Sequence, residues 1–226
     1  MDRFVLSLKK NLILSFKLLK KVLNENKRKK MAFEFKYHYL KKYIDIYFKS
    51  ANIDLNIKND ASYNDIAKKV FVVSYKSNWD LLIAYKAINV PSTFALDYRR
   101  IKKFYNKQFA KFLEIERIDT TDLYDVSAAF LDIQREINEN KTFIFQPQLE
   151  KNKEFNENSF KPIIKTKATI IPVVINNSNI LDENLDDVKV DVNILKEIRY
   201  DEYKDLNKEE LCNFVKEKME DYYEKI

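Results

Sequence analysis

At 226 residues, with 46% hydrophobic, 34% charged and 14% aromatic residues, the chain has enough apolar content to bury one substantial core, which excludes general disorder and leaves no room for two full domains. A net charge of +6 favours anionic partners: a membrane surface, a phosphorylated small molecule or nucleic acid. The complete absence of glycine excludes a glycine-rich phosphate loop or dinucleotide fingerprint, and the single cysteine, Cys212, excludes an internal disulfide and points to a reducing setting.

Residues 2 to 23 read as an amphipathic helix. Asp2 is placed to cap it, Phe4, Leu8, Leu12, Phe16, Leu19 and Leu23 recur at helical spacing, and Lys9, Lys10, Lys17, Lys20 and Lys21 occupy the other side. No uncharged run reaches the roughly 20 residues that span a bilayer, so the segment is expected to lie on a membrane rather than cross it. The basic run Lys27 to Lys30 adds attraction to anionic lipid. Residues 31 to 48 give a second helix with Phe33, Tyr37, Leu40, Ile44, Tyr47 and Phe48 on one side and the only histidine, His38, without an acidic neighbour. His38 reads as a surface or packing residue, and no metal site is expected.

From Asn52 the period changes. Ile53, Leu55 and Ile57 alternate as in a strand, and Val70 to Val73 form a continuous apolar run suited to a central strand covered on both faces. Ser74 to Asp80 is a polar loop leading into a helix that Ser77 or Asn78 could cap and that runs to about Ile88. Ser92 to Leu96 is a third strand, Arg99 to Lys111 a basic helical segment, and Phe112 to Ile118 a strand carrying Arg117 near its end. Thr120 or Thr121 caps a long helix with Leu123, Val126, Phe130, Ile133 and Ile137 facing inward. Thr142 to Phe145 is a strand, 146 to 157 a polar loop, Phe160 to Ile164 a helix, and Thr169 to Ile175 a buried strand. Val188 to Val192 reads as a peripheral strand because charges interrupt it. The last helix starts at Asn207, with Glu210 completing a capping box, and buries Leu211, Phe214, Val215 and Met219. Cys212 on this helix reads as a packing residue. With glycine missing, left-handed backbone is expected at pairs such as Asn59-Asp60 and Asn176-Asn177.

Alternating strands and helices predict an α/β fold: a mixed, largely parallel sheet covered by helices on both faces, with an N-terminal amphipathic helical pair. The expected organisation is a basic membrane-facing attachment over residues 1–50 and one α/β domain over 51–226. In such sheets ligands gather where strands end and helices begin, which singles out Ser74 to Asp80.

Four blocks in order resemble the glycerolipid acyltransferase family, in particular the bacterial lysophosphatidic acid (1-acylglycerol-3-phosphate) acyltransferases. Ser74-Tyr75-Lys76-Ser77-Asn78-Trp79-Asp80 stands where that family has N-H-x-S-x-x-D, and Glu116-Arg117 where it ends a strand with an acid and an arginine. Phe145 to Glu150 stands in altered form at F-P-E-G-T-R, and Ile170-Ile171-Pro172-Val173-Val174-Ile175 matches its proline-containing strand. The third block has two registers. Without a gap, Pro147 meets the family glutamate and Glu150 its arginine. With one inserted residue, Pro147 meets the proline, Gln148 the glutamate and Lys151 the arginine.

The resemblance implies acyl transfer from a thioester, carried by coenzyme A or acyl carrier protein, to a lysophospholipid hydroxyl, with no bound cofactor. It places the protein at the cytoplasmic face of the cell membrane, attached to an anionic surface through residues 1–50, with lysophosphatidic acid or another glycerophospholipid as ligand. Nucleic acid is disfavoured, because no recognition motif accompanies the basic arm. By this resemblance Tyr75 holds the place of the catalytic histidine, Asp80 is the orienting acid, and Arg117, Gln148 and Lys151 are substrate-binding. A phenol, with an ordinary pKa near 10, is ionised in only about one molecule in a thousand at neutral pH. Loss of a general base typically costs about 10² to 10⁴ in rate. Weak or absent catalysis is therefore expected, with lipid binding or scaffolding on the same fold as the alternative.

Overall fold

The computed structural model describes residues 11–97, 104–119, 121–148, 153–178, 181 and 188–223. Seven strands form one sheet: β1 (Ile53–Asn59), β2 (Lys69–Val73), β3 (Ser92–Asp97), β4 (Glu116–Ile118), β5 (Thr142–Phe145), β6 (Thr169–Asn176) and β7 (Val188–Ile194). Their spatial order is β1-β7-β6-β2-β5-β3-β4. The five strands from β6 to β4 run parallel, while β7 meets β6 antiparallel and β1 follows β7. The mixed, largely parallel α/β sheet expected from the sequence is what the chain forms.

Helices α1 (Leu12–Arg28), α2 (Phe33–Ser50), α3 (Asp80–Ile88) and α4 (Phe104–Phe112) precede β4, and α5 (Leu123–Asn138), α6 (Lys161–Thr166), α7 (Tyr200–Tyr203) and α8 (Lys208–Tyr223) follow it, with a 3-10 turn at Glu157–Phe160. Two apolar layers result from the side-to-side alternation of the strands. Phe71, Val73, Ile144, Ile171 and Val173 pack under residues of α1, α2 and α3. Val70, Val72, Phe143, Phe145, Ile170 and Val174 pack under α5, α6 and α8. Each central strand is therefore covered twice, which explains why β2 reads as an unbroken apolar run. Lys69, at its start, is buried and donates to the carbonyls of Tyr63 at 2.9 Å and Ile66 at 2.9 Å.

Several local expectations are corrected. Phe112 ends α4 instead of opening a strand, because Glu114 turns left-handed (φ 54°) and Ile115 donates back to Ala110 at 2.9 Å, leaving only Glu116–Ile118 extended. Helix α5 is capped by Asp122, which accepts from the Tyr124 N–H at 2.8 Å, while Thr121 bonds Asp119; Thr120 lies outside the described residues. Leu123 does not face inward but is 84% exposed. Strand β7 is not peripheral, since β1 lies outside it. Asp2, Phe4, Leu8, Lys9 and Lys10 lie outside the described residues, as do Arg99 and the start of the basic segment. The capping box of the last helix forms as expected, Asn207 Oδ1 accepting from Glu209 and Glu210, and Glu210 accepting from Asn207.

Left-handed backbone falls at Lys29, Asn52, Asn89, Glu114, Asn140, Lys167 and Asn177. Asn177 was anticipated, while Asn59 and Asp60 are not among them. All but Asn177 stand just after a helix, where other proteins favour glycine. Asparagine tolerates this conformation and lysine tolerates it less well. Lys29→Gly is expected to stabilise the protein by about 0.5 to 1 kcal/mol, read as a raised urea midpoint with an unchanged slope.

Candidate functional site

The C-terminal edge of the parallel strands collects the polar loops. Strand β2 runs into Ser74 to Trp79, β5 into Gln146, Pro147 and Gln148, β6 into Asn176, Asn177 and Ser178, and β3 and β4 end at Asp97 and Ile118.

The turn between β2 and α3 is built around Asp80. Its Oδ2 accepts from the N–H groups of Lys76 and Ser77, both at 2.7 Å, and the Ser77 hydroxyl accepts from the N–H of Trp79 at 3.3 Å. The helix thus begins without the Ser77 or Asn78 side-chain cap expected at its first turn, because the aspartate takes over the N–H groups ahead of it. Trp79 is buried and meets Phe48 of α2 edge-on, its ring centroid 6.2 Å away, so it anchors the turn to the helical layer. His38 is exposed beside Tyr37.

Asp80 is 1% exposed, and its Oδ1 has no partner of hydrogen-bonding geometry. The same holds for the buried hydroxyl of Ser178. Burial pushes the Asp80 carboxyl above its ordinary range, although the Ser178 hydroxyl, the Ser77 and Lys76 N–H groups and the Lys76 charge all pull it down.

Tyr75 is half-buried in the same turn. Its hydroxyl donates to Asn78 Oδ1 at 2.8 Å, and no bond joins it to Asp80. Its N–H donates to Gln148 Oε1, which ties the β5 loop to the β2 loop, and Gln146 Nε2 reaches the Ser74 carbonyl at 3.5 Å. Gln148 is buried. Lys151 lies outside the described residues.

Arg117 is exposed on β4 and pairs in register with Leu96. Three strand spacings separate β4 from β2, or about 14 Å at roughly 4.8 Å each. Neither of the carboxylates nearest to it along the chain on either side of the strand, Glu114 and Asp119, pairs with it. Glu114 pairs with Lys36 at 2.8 Å and Lys141 at 3.1 Å, and Asp119 accepts from Thr121 at 2.6 Å. Burial pushes the Glu114 carboxyl up, but the two lysines outweigh it and hold the group below its ordinary range.

Next to these loops lies a cavity of about 960 Å³. Its sheet wall is Ala95, Ile118 and Phe145, its helical wall includes Val126, Phe130 and Ile164, and Gln146 and Gln148 connect it to the Tyr75 turn. Lys161, Lys165 and Lys208 also line it. Tyr75, Asp80 and Arg117 do not. The structure therefore brings together Tyr75, Asp80 and Gln148 and leaves Arg117 further along the same edge. Sequence reasoning missed Asn78, Gln146 and Ser178. Only their position just after apolar strands or in the polar turn could have marked them.

Cys212 is buried on α8, and burial raises its thiol to about 11, so it is no nucleophile. Among the described residues no helix is long and apolar enough to cross a membrane, and no cluster of side chains suited to a metal ion is present.

Compared with solved structures, the chain is similar to the 1-acyl-sn-glycerophosphate (LPA) acyltransferase PlsC from Thermotoga maritima, with a TM-score of 0.72 and 16% identity over 99% of this chain and 97% of that one. At that identity the likeness is one of fold, and it extends over nearly the whole length of both chains. No protein-family model matches the chain, and no curated protein matches it.

Proposed function

We propose that this chain uses an acyltransferase-type fold to hold a lysophospholipid or related glycerophospholipid at an anionic membrane surface on the cytoplasmic side, with acyl transfer from a thioester weak or lost. The observation that carries the reading is the divergence of Tyr75 and Asp80. The phenol is bonded to Asn78, while the carboxylate is turned into the backbone of its own loop. An alcohol brought to this turn finds no imidazole to take its proton, and one oxygen of the acid that would orient one is held by the backbone of its own loop.

Ligand binding is supported by other features. The cavity beside Gln146 and Gln148 has the volume and apolar walls suited to a chain-bearing ligand. Arg117 is exposed and without a carboxylate partner among the described residues, so its guanidinium can receive a phosphate bidentately. The bond from the Tyr75 N–H to Gln148 favours the register in which Gln148 takes the place of the family glutamate. The solved relative's lysophosphatidic acid substrate is of the same ligand class. Membrane attachment is supported by Leu12, Ile13 and Phe16 of α1, which are 66%, 76% and 68% exposed beside Lys17, Lys20 and Lys21.

Full-length protein incubated with lysophosphatidic acid and either acyl-coenzyme A or acyl-carrier protein is expected to show negligible turnover. Turnover that disappears in Asp80→Asn would overturn the non-catalytic reading. Tyr75→His alone is expected to fall short of an ordinary enzyme by at least about tenfold, because the third block is altered as well. Arg117→Ala is expected to weaken binding of vesicles doped with lysophosphatidic acid by about tenfold, without changing attachment to vesicles that lack it.

A further inference from the structure

Strand β1 closes one end of the sheet. Its partner β7 fixes which way each peptide points. The Asn52 carbonyl accepts from Val188 at 3.1 Å and the Asp60 N–H donates to Ile194 at 2.9 Å, so even-numbered residues direct their backbone groups at β7. Odd-numbered residues alternate with them. The N–H and C=O groups of Ile53, Leu55, Ile57 and Asn59 therefore face outward, and no described residue meets them. The strand is seven residues long, contains no proline and is not covered at this edge by any described residue, the combination that natural sheets usually avoid.

The sequence of this edge, Ile-Asp-Leu-Asn-Ile-Lys-Asn, is complementary to its own reverse. Two copies aligned antiparallel about Asn56 place Leu55 opposite Ile57 and Ile53 opposite Asn59. These pairs have outward-facing backbone groups in both copies, so each can exchange both hydrogen bonds. Asp54 then falls opposite Lys58, twice, as non-hydrogen-bonded pairs whose side chains approach most closely. A shift of two residues either way sets Asp54 or Lys58 against Asn56 and shortens the ladder. A shift of one is forbidden, because it would oppose an outward residue to an inward one. The side chains are free to make these pairs. Asp54 has no ion pair among the described residues, and Lys58 has an exposed contact with Asp60 at 3.5 Å and a long one with the Tyr222 ring, 5.9 Å from its centroid, kinds worth little at an exposed site. Ile57 is 43% exposed, and Leu55 from the second copy would cover it.

We propose that the protein forms a two-fold dimer through β1, joining two sheets into one, with Asp54 and Lys58 setting the register. A two-fold axis normal to the sheet keeps corresponding faces on the same side. Both α1–α2 layers then face one way. On the membrane reading above, this would present two basic hairpins to one bilayer and strengthen attachment without new contacts.

The test needs no lipid, so its failure and that of the membrane reading are separable. Sedimentation of the full chain at micromolar concentrations is expected to show a concentration-dependent dimer. Lys58→Asp sets like charges against Asp54 and is expected to weaken it at least tenfold, as is Asp54→Lys. The double exchange, Asp54→Lys with Lys58→Asp, restores it. Ile57→Pro removes an outward N–H without touching the β7 ladder and also abolishes the dimer. A wild-type monomer at every concentration, a dimer indifferent to these changes, or larger species that ignore the charge exchange would each overturn the proposal.

Discussion

Leu12→Asp, Ile13→Asp and Phe16→Asp together are expected to release the full chain from vesicles containing a quarter anionic lipid, weakening partitioning by at least about a hundredfold. A fully buried large aliphatic or aromatic side chain contributes roughly 1.5 to 3 kcal/mol. Partial insertion of three, lost and replaced by charges of the wrong sign, exceeds the roughly 2.8 kcal/mol that a hundredfold requires. Folding should be untouched, because these side chains are exposed while Leu18 and Val22 hold the helix to the core. Raising salt should weaken wild-type attachment through Lys17, Lys20, Lys21 and the run from Lys27 to Lys30. Flotation of the triple variant at wild-type levels would show that another surface carries the attachment.

Asp80 is expected to give the sharpest contrast between two substitutions at one position. Asp80→Ala leaves the N–H groups of Lys76 and Ser77 without an acceptor inside the protein. At about 1 to 3 kcal/mol for each orphan, the loss should be about 2 to 6 kcal/mol, a large part of a typical domain's stability. Asp80→Asn keeps an acceptor for both and can turn an amide N–H toward Oγ of Ser178, which lies beside the carboxyl without full hydrogen-bonding geometry. The pH dependence separates the two effects. Because burial raises the Asp80 carboxyl, the folded state holds its proton to higher pH than the unfolded chain does. That contribution is complete below the ordinary carboxyl pKa of 3.8 and is lost as pH rises through the raised value. The asparagine variant has no such loss, so it should gain on the wild type as pH rises above the ordinary carboxyl value and be at least as stable once the wild-type carboxyl is ionised. Urea denaturation across that rise in pH tests it. An asparagine variant that falls behind as pH rises would mean that the charge is a stabilising part of the fold.

Much of the architecture was readable beforehand because the signals are local. The apolar runs at Val70 to Val73 and Thr169 to Ile175 announced strands covered on both faces, and the Asn207 to Glu210 box announced the start of α8. Misreadings arose where two local devices of similar energy competed. Phe112 to Ile118 has strand-like residues, yet Glu114 turns left-handed and is held there by Lys36 and Lys141 from distant elements. Thr120, Thr121 and Asp122 could all cap α5, and the aspartate does so while Thr121 is drawn to Asp119. Strand β7 looked peripheral by its charges, but its neighbour β1 is more polar still and takes the edge.

The amino-acid order by itself determined most of the helices and strands, that the sheet is mostly parallel, and that polar residues gather where β2 meets α3. These follow from side-chain period and capping chemistry within a few residues. Only the tertiary structure decided that Tyr75 turns to Asn78 and Asp80 to its own backbone, that Gln148 closes on the Tyr75 turn, and that Arg117 stands three strands away. Those outcomes depend on strand order and on which of several equivalent donors lies nearest after packing, and neither is set by spacing along the chain.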